Sequence, residues 1–214
     1  MDFSDFLKYV PKIKQEKLLA EQAHLKMVPI ERILEVEKYT TASNNPRKAA
    51  VMMLIYPKNN KSHLALIVRN TYPGVHSAQI AFPGGKVEIE DVSLSHTALR
   101  ETHEEIGIHP EKIDVIKTFT EVFIPPSNFI VAPFLGISYS ELQFTEQVEE
   151  IAGIIEFPLL DFMNEKTIVI KRMDTSYGKN IEVPTFKINN HYVWGATAMM
   201  MSELKEVLKN SFKN

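Results

Sequence analysis

The sequence contains no cysteine, and that absence excludes disulfide bonds, thiolate zinc sites and cysteine nucleophiles. It also lacks long apolar runs: residues 49–56 form one of the longest, far below the roughly 20 residues that a membrane-spanning helix needs. Asp2 and Asp5 lie near the start, whereas a secretory signal begins with a basic stretch followed by an apolar one. We therefore expect a cytoplasmic protein without a membrane partner.

The sequence also has no excess of basic residues over acidic ones. The chain has 24 lysine and arginine residues against 27 aspartate and glutamate residues, a formal net charge of -3. Proteins that bind polymeric nucleic acid usually carry a basic patch, so we expect no nucleic-acid partner. The 214 residues, with 44% hydrophobic and 24% charged side chains, are typical of one globular domain with additions.

The chain changes character near residue 45. Before this point Phe3, Phe6 and Val10 recur at helical spacing, and we interpret residues 1–45 as an N-terminal helical extension. A cluster of turn-forming residues that ends in a proline marks the end of this extension. Residues 46–214 then form the main domain, in which short apolar runs predict strands.

The main domain begins with a hairpin of two buried strands and an extended segment. A helix is predicted for residues 93–106, and Gly107 ends it. The other predicted helices are residues 159–163 and 196–209, and the predicted strands are 49–56, 63–68, 77–82, 115–124, 129–137, 151–157, 167–171, 183–188 and 192–193. This order predicts an α+β domain whose helices pack on a mixed sheet.

Three glutamates of the helix at 93–106 carry the functional information. In a helix with about 3.6 residues per turn, Glu101, Glu104 and Glu105 are three and four positions apart, so their carboxylates share one patch. The patch lies at the edge of the apolar face, which we assign to Leu94, Ala98, Leu99, Thr102 and Ile106. Glutamate pairs on helices are usually solvated surface groups, and that interpretation stays open for the triplet by itself.

A divalent cation would relieve the repulsion among these carboxylates. An all-oxygen donor set favours Mg²⁺ or Mn²⁺, and Mg²⁺ usually binds substrate phosphates as well. Gly84 and Gly85 let the backbone approach an ion or a phosphate, and Lys86 adds a positive charge. Arg100 by itself fits an ordinary helix salt bridge to Glu104. The pattern indicates phosphate chemistry with a Mg²⁺ or Mn²⁺ cofactor.

These residues resemble the Nudix box, a pattern of a glycine, a spaced acid, Arg-Glu, an aliphatic residue, Glu-Glu, a glycine and an aliphatic residue. The matching residues are Gly85, Arg100, Glu101, Glu104, Glu105, Gly107 and Ile108. Three departures are present: Asp91 stands at the spaced acid, the box is one residue longer before Arg100, and Thr102 replaces the first aliphatic residue.

The resemblance implies a Nudix-type α/β/α sandwich with a mixed central sheet. It implies that Glu101, Glu104 and Glu105 bind the catalytic metal ions together with the carbonyl of Gly85. It also implies that Arg100 orients a glutamate through a charge-assisted hydrogen bond.

The longer box resembles the subgroup of Nudix hydrolases that cleaves coenzyme A and its derivatives. In that subgroup arginines precede a Phe-Pro-Gly-Gly motif, and this chain offers Arg69 followed by Phe82-Pro83-Gly84-Gly85. Gly74 stands where a second arginine is expected, and Ala78 where a glycine is expected. The resemblance covers about residues 46–208. It implies substrate contacts from Arg69, His76, Ser77, Phe82 and Lys86.

The implied reaction is attack of water on one phosphorus atom of a diphosphate. For coenzyme A the products would be 4'-phosphopantetheine and adenosine 3',5'-bisphosphate. Glu149 or Glu150 is expected to bind metal or to act as the general base, and each fits a solvated loop charge equally well. Trp194 fits core packing better than a substrate platform, and His76 fits loop capping as well as a phosphate contact.

Other functions of the same fold stay open. The same chemistry could act on ADP-ribose, NADH or an oxidised nucleoside triphosphate. An isomerase of isopentenyl diphosphate relies on a catalytic cysteine, which this chain lacks. A non-catalytic Nudix-like sensor would have an eroded glutamate set or added DNA-binding helices, and neither is evident. The expected partner is a small nucleotide-like molecule, and a homodimer is an assembly that the sequence leaves open.

Overall fold

The computed structural model describes residues 1–33, 45–70 and 79–213. Its α-helices include α1 (Phe3–Gln15), α2 (Glu21–His24), α3 (Leu94–Ile106), α4 (Leu159–Met163) and α5 (Gly195–Ser211). Its strands include β1 (Arg47–Lys58), β2 (Lys61–Arg69), β3 (Ile80–Ala81), β4 (Gly84–Lys86), β5 (Asp114–Thr118), β6 (Val122–Ile124), β7 (Phe129–Ile137), β8 (Ile151–Pro158), β9 (Ile168–Thr175), β10 (Gly178–Ile188) and β11 (His191–Val193). Among the described residues, no helix is both long and apolar enough to cross a membrane.

A mixed sheet of strands β1 to β8 forms the centre of the described part of the chain. Strand β1 runs parallel to β7, from Arg47 opposite Phe129 to Ile55 opposite Ile137. It runs antiparallel to β2 and β4. Strand β2 also pairs with β3 and β8, while β5 and β6 pair with β7. The parallel and antiparallel pairs confirm the predicted mixed sheet.

Both faces of β1 are covered, which explains its continuous apolar run. Side chains alternate along a strand, so Met53 and Ile55 join one core with α1 and α5. Met52, Leu54 and Tyr56 point the other way and join a second core with α3. Helices on both sides of a mixed sheet make the predicted α/β/α arrangement.

The strand predicted at residues 115–124 is interrupted, because β5 ends at Thr118 and β6 begins at Val122. Between them, Thr120 donates its N–H and its hydroxyl to the carboxylate of Glu203 on α5, at 3.1 and 2.7 Å. A backbone N–H that binds a side chain is not available to the neighbouring strand, so the ladder breaks there.

A second sheet, β9 to β11, follows β8 and is antiparallel. The sequence predicts a strand at residues 167–171, whereas β9 continues to Thr175 and turns directly into β10. Half-buried and exposed side chains alternate along much of β9, so no apolar run marks where it ends. The turn between β9 and β10 reaches the candidate site.

Candidate active site

Helix α3 has well-defined ends. The hydroxyl of Ser93 accepts a hydrogen bond from the N–H of His96, at 3.1 Å, and caps the N-terminus. Gly107 follows the C-terminus with a φ of 72°, and a Cβ there would lie 2.8 Å from the Cβ of Thr145. The left-handed backbone and the close neighbour both favour glycine. These ends confirm the predicted helix, and one face of it packs against β1 and β4.

Two of the three glutamates are buried on that face. Glu101 retains 8% and Glu105 3% of its solvent-accessible surface, whereas Glu104 is exposed. Ala98 and Thr102 of the same helix are fully buried. The carboxylates of Glu101 and Glu105 therefore lie deeper than the edge position that the helical spacing predicts.

Strand β4 brings two glycines against these glutamates. Gly84 donates its N–H to Oε2 of Glu105, at 2.8 Å. A Cβ on Gly85 would lie 2.5 Å from the carboxyl carbon of Glu101, a distance that real Cβ atoms essentially never show. Only glycine therefore allows β4 and the Glu101 carboxylate to occupy these positions.

Arg100 connects the exposed glutamate with a buried one. Its Nη1 donates to Oε2 of Glu104 at 2.7 Å, and its Nη2 lies 3.0 Å from Oε1 of Glu101. Its Nε and Nη2 each donate to the carboxylate of Asp91 at 3.1 Å. The guanidinium thus restrains both glutamates and is itself held by Asp91.

The Asp91 side chain has no exposed surface. Besides Arg100, it accepts hydrogen bonds from the N–H of Glu88 and the hydroxyl of Thr97, both at 2.9 Å. Nδ1 of His96 lies 2.9 Å from its Oδ1. Arg100 and these further donors hold the pKa of Asp91 well below its usual range, because they stabilise the charged form. Aspartate at this position therefore anchors Arg100.

The buried glutamates are not fully compensated by positive charge. Burial raises the pKa of Glu105 to about 8, although the Gly84 N–H and Arg69 oppose the shift. Glu101 and Glu150 raise this pKa further. Burial likewise raises the pKa of Glu101, against the effect of Arg100. A cation beside these carboxylates would favour their charged forms.

The carboxylate oxygens of this site suit a hard divalent cation, but they are not arranged as a complete coordination shell. Across the described residues, no three acidic or histidine side chains together have metal-binding geometry. Glu101 and Glu104 are turned toward Arg100, and Glu105 binds the Gly84 N–H. Rotation of these side chains would free carboxylate oxygens for an ion. A set made only of oxygens favours Mg²⁺ or Mn²⁺.

A cleft of about 890 Å³ opens at this place. The residues predicted for the site that line it are Arg69, Phe82, Gly85, Lys86, Arg100, Glu101, Glu104, Glu105 and Glu150. Glu149 is exposed and does not line the cleft. His76 and Ser77 lie outside the described residues, as do the departures at Gly74 and Ala78.

The cleft also contains residues that the sequence did not identify. Arg32, which precedes β1, and Tyr177 of the β9–β10 turn both line it. Neither belongs to a motif, so no local pattern could have indicated them. Trp194, for which core packing was the favoured interpretation, is half-buried and lines the cleft too.

The NUDIX domain model matches residues 46–174. The chain belongs to the Nudix family. It is 34% identical over 167 residues to the uncharacterized Nudix hydrolase NudL of Enterobacter sp. (strain 638), which covers 75% of this chain and 82% of the relative. It is 31% identical over 179 residues to NudL of Yersinia pestis (strain Pestoides F), covering 82% and 86%. The Nudix family and the hydrolase class predicted from the sequence are thus confirmed.

Solved Nudix structures have a similar fold. RenU, a Nudix hydrolase from M. smegmatis, superposes with a TM-score of 0.53 at 16% identity, covering 77% of this chain and 87% of RenU. A MutT/nudix family protein from Enterococcus faecalis gives a TM-score of 0.52 at 15% identity, covering 85% of this chain and 70% of that protein. At such identities the likeness shows the Nudix fold alone.

Proposed function

We propose that this Nudix hydrolase cleaves the diphosphate linkage of coenzyme A or its derivatives, producing 4'-phosphopantetheine and adenosine 3',5'-bisphosphate. The observation that carries the proposal is the cleft of about 890 Å³, which Arg69, Glu150 and the glutamates of α3 line together. Ligand sites for small molecules usually measure roughly 300–1,000 Å³. Coenzyme A in particular is supported by the Phe82-Pro83-Gly84-Gly85 motif after Arg69, which resembles that subgroup.

Glu101, Glu104, Glu105 and the carbonyl of Gly85 are the proposed ligands of Mg²⁺ or Mn²⁺. When bound, such an ion supplies Lewis-acid stabilisation of the negative charge that develops on the phosphate oxygens. Arg100 acts as a positioning residue, because it holds the carboxylates of Glu101 and Glu104.

Arg69 and Lys86 supply positive charge for the diphosphate itself. Nη1 of Arg69 lies 3.9 Å from Oε1 of Glu105. The Nε of Arg69 is buried and has no hydrogen-bond partner among the described residues. A buried donor without a partner costs about 1–3 kcal/mol, which a phosphate oxygen would recover. Arg69 is therefore well suited to bind an anionic substrate group.

Glu150 is the proposed general base. It lines the cleft, whereas Glu149 does not, which supports choosing Glu150 of the two. Its segment is held in place, because Gln147 N–H donates to the carbonyl of Glu105 at 3.1 Å and Asn70 N–H donates to the carbonyl of Glu150 at 3.2 Å. Glu150 would take a proton from water while the oxygen bonds to phosphorus and the bridging P–O bond breaks.

The test is incubation of the purified full chain with coenzyme A and Mg²⁺, with the products identified by mass spectrometry. We expect both named products, and none after a chelator removes the metal. Turnover of ADP-ribose without any turnover of coenzyme A would contradict the substrate assignment. Full activity of Glu104→Gln would contradict the assigned role of the glutamates.

A further inference from the structure

Arg32 brings a positive charge into the cleft from outside residues 46–174, the part that the NUDIX domain model matches. Its Nη2 donates to the carbonyl of Phe123 at 3.3 Å, and its Nη1 lies 3.4 Å from the sulfur of Met199. Its Cζ lies 5.6 Å from the centre of the Tyr177 ring. None of these described contacts is with a carboxylate, so they hold the guanidinium in place without neutralising it.

The glutamate end of the cleft has other cations. Arg100 is bound to Asp91, Glu101 and Glu104, and Arg69 lies beside Glu105. The described contacts of Arg32 come instead from β6, from α5 and from the β9–β10 turn. None of these elements contributes one of the proposed metal ligands. Arg32 therefore lies at a second part of the same cleft, which other elements form.

The cleft that Arg32 lines also suits the nucleoside half of a substrate. Ile124, Phe129, Tyr177 and Trp194 supply apolar and aromatic surface to the cleft, and aromatic rings stack on nucleobases. The carboxylate of Asp174, which also lines the cleft, accepts a hydrogen bond from the N–H of Asn180 at 2.8 Å within the β9–β10 hairpin. The Arg32 guanidinium lines the same cleft as these rings.

We propose that Arg32 is a specificity-determining residue that binds a phosphomonoester separate from the diphosphate, so that the enzyme selects nucleotides phosphorylated on the ribose. This inference rests on the proposed function and deepens it, because the 3'-phosphate of coenzyme A is such a group. A planar guanidinium binds phosphate through two parallel hydrogen bonds. The contacts with Phe123 and Tyr177 orient Arg32 in advance, which lowers the entropy cost of binding.

The first test measures binding, which needs no turnover. Calorimetric titration of the full chain with adenosine 3',5'-bisphosphate and with AMP should give a Kd about tenfold lower for the bisphosphate, equal to about 1.4 kcal/mol. Arg32→Met should bring the two Kd values to within about twofold of each other, mainly by weakening the binding of the bisphosphate. Arg32→Gln, which keeps amide donors but no charge, is the second variant if Arg32→Met does not fold.

Arg172→Met is the matched control, because Arg172 is an exposed arginine of β9 that pairs with Glu182 and does not line the cleft. It should keep the wild-type ratio. The inference would be overturned if the Arg32 variants kept the wild-type ratio of the two Kd values, or if they bound both ligands more weakly by the same factor.

The second test compares turnover of coenzyme A and of dephospho-coenzyme A, which lacks the 3'-phosphate. Arg32→Met should raise KM for coenzyme A about tenfold and KM for the dephospho compound much less. A bisphosphate preference that depends on Arg32, in a wild-type enzyme that does not hydrolyse coenzyme A, would support this inference and overturn only the proposed function. Hydrolysis of coenzyme A without any preference for the bisphosphate would overturn only this inference.

Discussion

At the scale of single residues, the site depends on the absence of a Cβ at Gly85. Gly85→Ala would place a Cβ 2.5 Å from the Glu101 carboxyl carbon and push that group aside. Because Glu101 is a proposed metal ligand, we expect kcat to fall roughly 100-fold, since displacement of a catalytic group by about 1 Å has that effect. Steady-state kinetics of the purified variant would measure the loss.

A substitution of the neighbouring Gly84 shows whether the loss of kcat reflects a local change or a destabilised fold. Gly84→Ala would bring a Cβ to 2.3 Å from the Ala50 carbonyl oxygen, which belongs to the backbone and cannot move aside. We expect Gly84→Ala to lower the melting temperature clearly more than Gly85→Ala does. Wild-type kcat in Gly85→Ala would contradict the proposed position of Glu101 in the site.

Two neighbouring glutamates allow a matched test of the proposed general base. Glu150 lines the cleft and Glu149 does not. Glu150→Gln keeps the shape and removes the proton acceptor, so we expect kcat to fall roughly 10²–10⁴-fold. Glu149→Gln should change kcat far less in the same assay. Equal losses in the two variants, or no loss in Glu150→Gln, would remove Glu150 from this role.

At the scale of elements, α3 and the loop before it form one electrostatic unit. Asp91 accepts two hydrogen bonds from Arg100, which in turn holds the carboxylates of Glu101 and Glu104. Asp91→Asn removes the charge at nearly constant volume. We expect the free energy of unfolding to fall by about 1–3 kcal/mol, because the half-buried guanidinium loses its charged partner.

Urea denaturation at pH 7 would measure this change, and kcat should fall as well, because Arg100 is less firmly placed. Asp161→Asn, a substitution of an exposed aspartate on α4, is the control. An unchanged denaturation midpoint in Asp91→Asn would show that Asp91 does not stabilise α3.

At the scale of the whole molecule, buried Glu203 joins distant segments. Its carboxylate accepts hydrogen bonds from Ala20 N–H at 2.8 Å and from Thr120, and it lies 3.5 Å from Nε2 of His24. Burial alone would raise the pKa of Glu203, but the nearby His24 ring and the hydrogen bonds from Thr120 outweigh it and hold the pKa below its ordinary value. This carboxylate ties α5 to α2 and to the segment between β5 and β6.

A lowered pKa in the folded state means that Glu203 stabilises the fold above its unfolded pKa of about 4.3, and that this contribution is lost as pH falls through the folded value. Glu203→Gln should therefore lower the free energy of unfolding at pH 7 by about 1–3 kcal/mol. Its deficit relative to wild type should shrink below about pH 4, where the wild-type carboxylate becomes protonated.

Urea denaturation at pH 7 and at the lowest pH that keeps the wild type folded would check this prediction. Glu182→Gln, on the exposed part of β10, is the control. A deficit that stays constant with pH would contradict the assigned contribution of the charge.

The sequence by itself determined the features that depend on neighbouring residues. Helix α3, its end at Gly107, the spacing of its glutamates and the buried strand β1 all follow from local periodicity, capping and apolar runs. The box residues also identified the family and the hydrolase class. Local patterns are reliable here because hydrogen bonding within a helix and alternation within a strand act over a few residues.

Only the tertiary structure decided how distant segments meet at the cleft. It placed Glu150 there and not Glu149, and it brought Arg32 to the carbonyl of Phe123, 91 positions along the chain. It also buried Glu101 and Glu105 more deeply than the helical spacing predicts. The physical reason is that packing and hydrogen bonding between distant segments leave no periodic trace in the sequence, whereas the box residues lie close together along the chain.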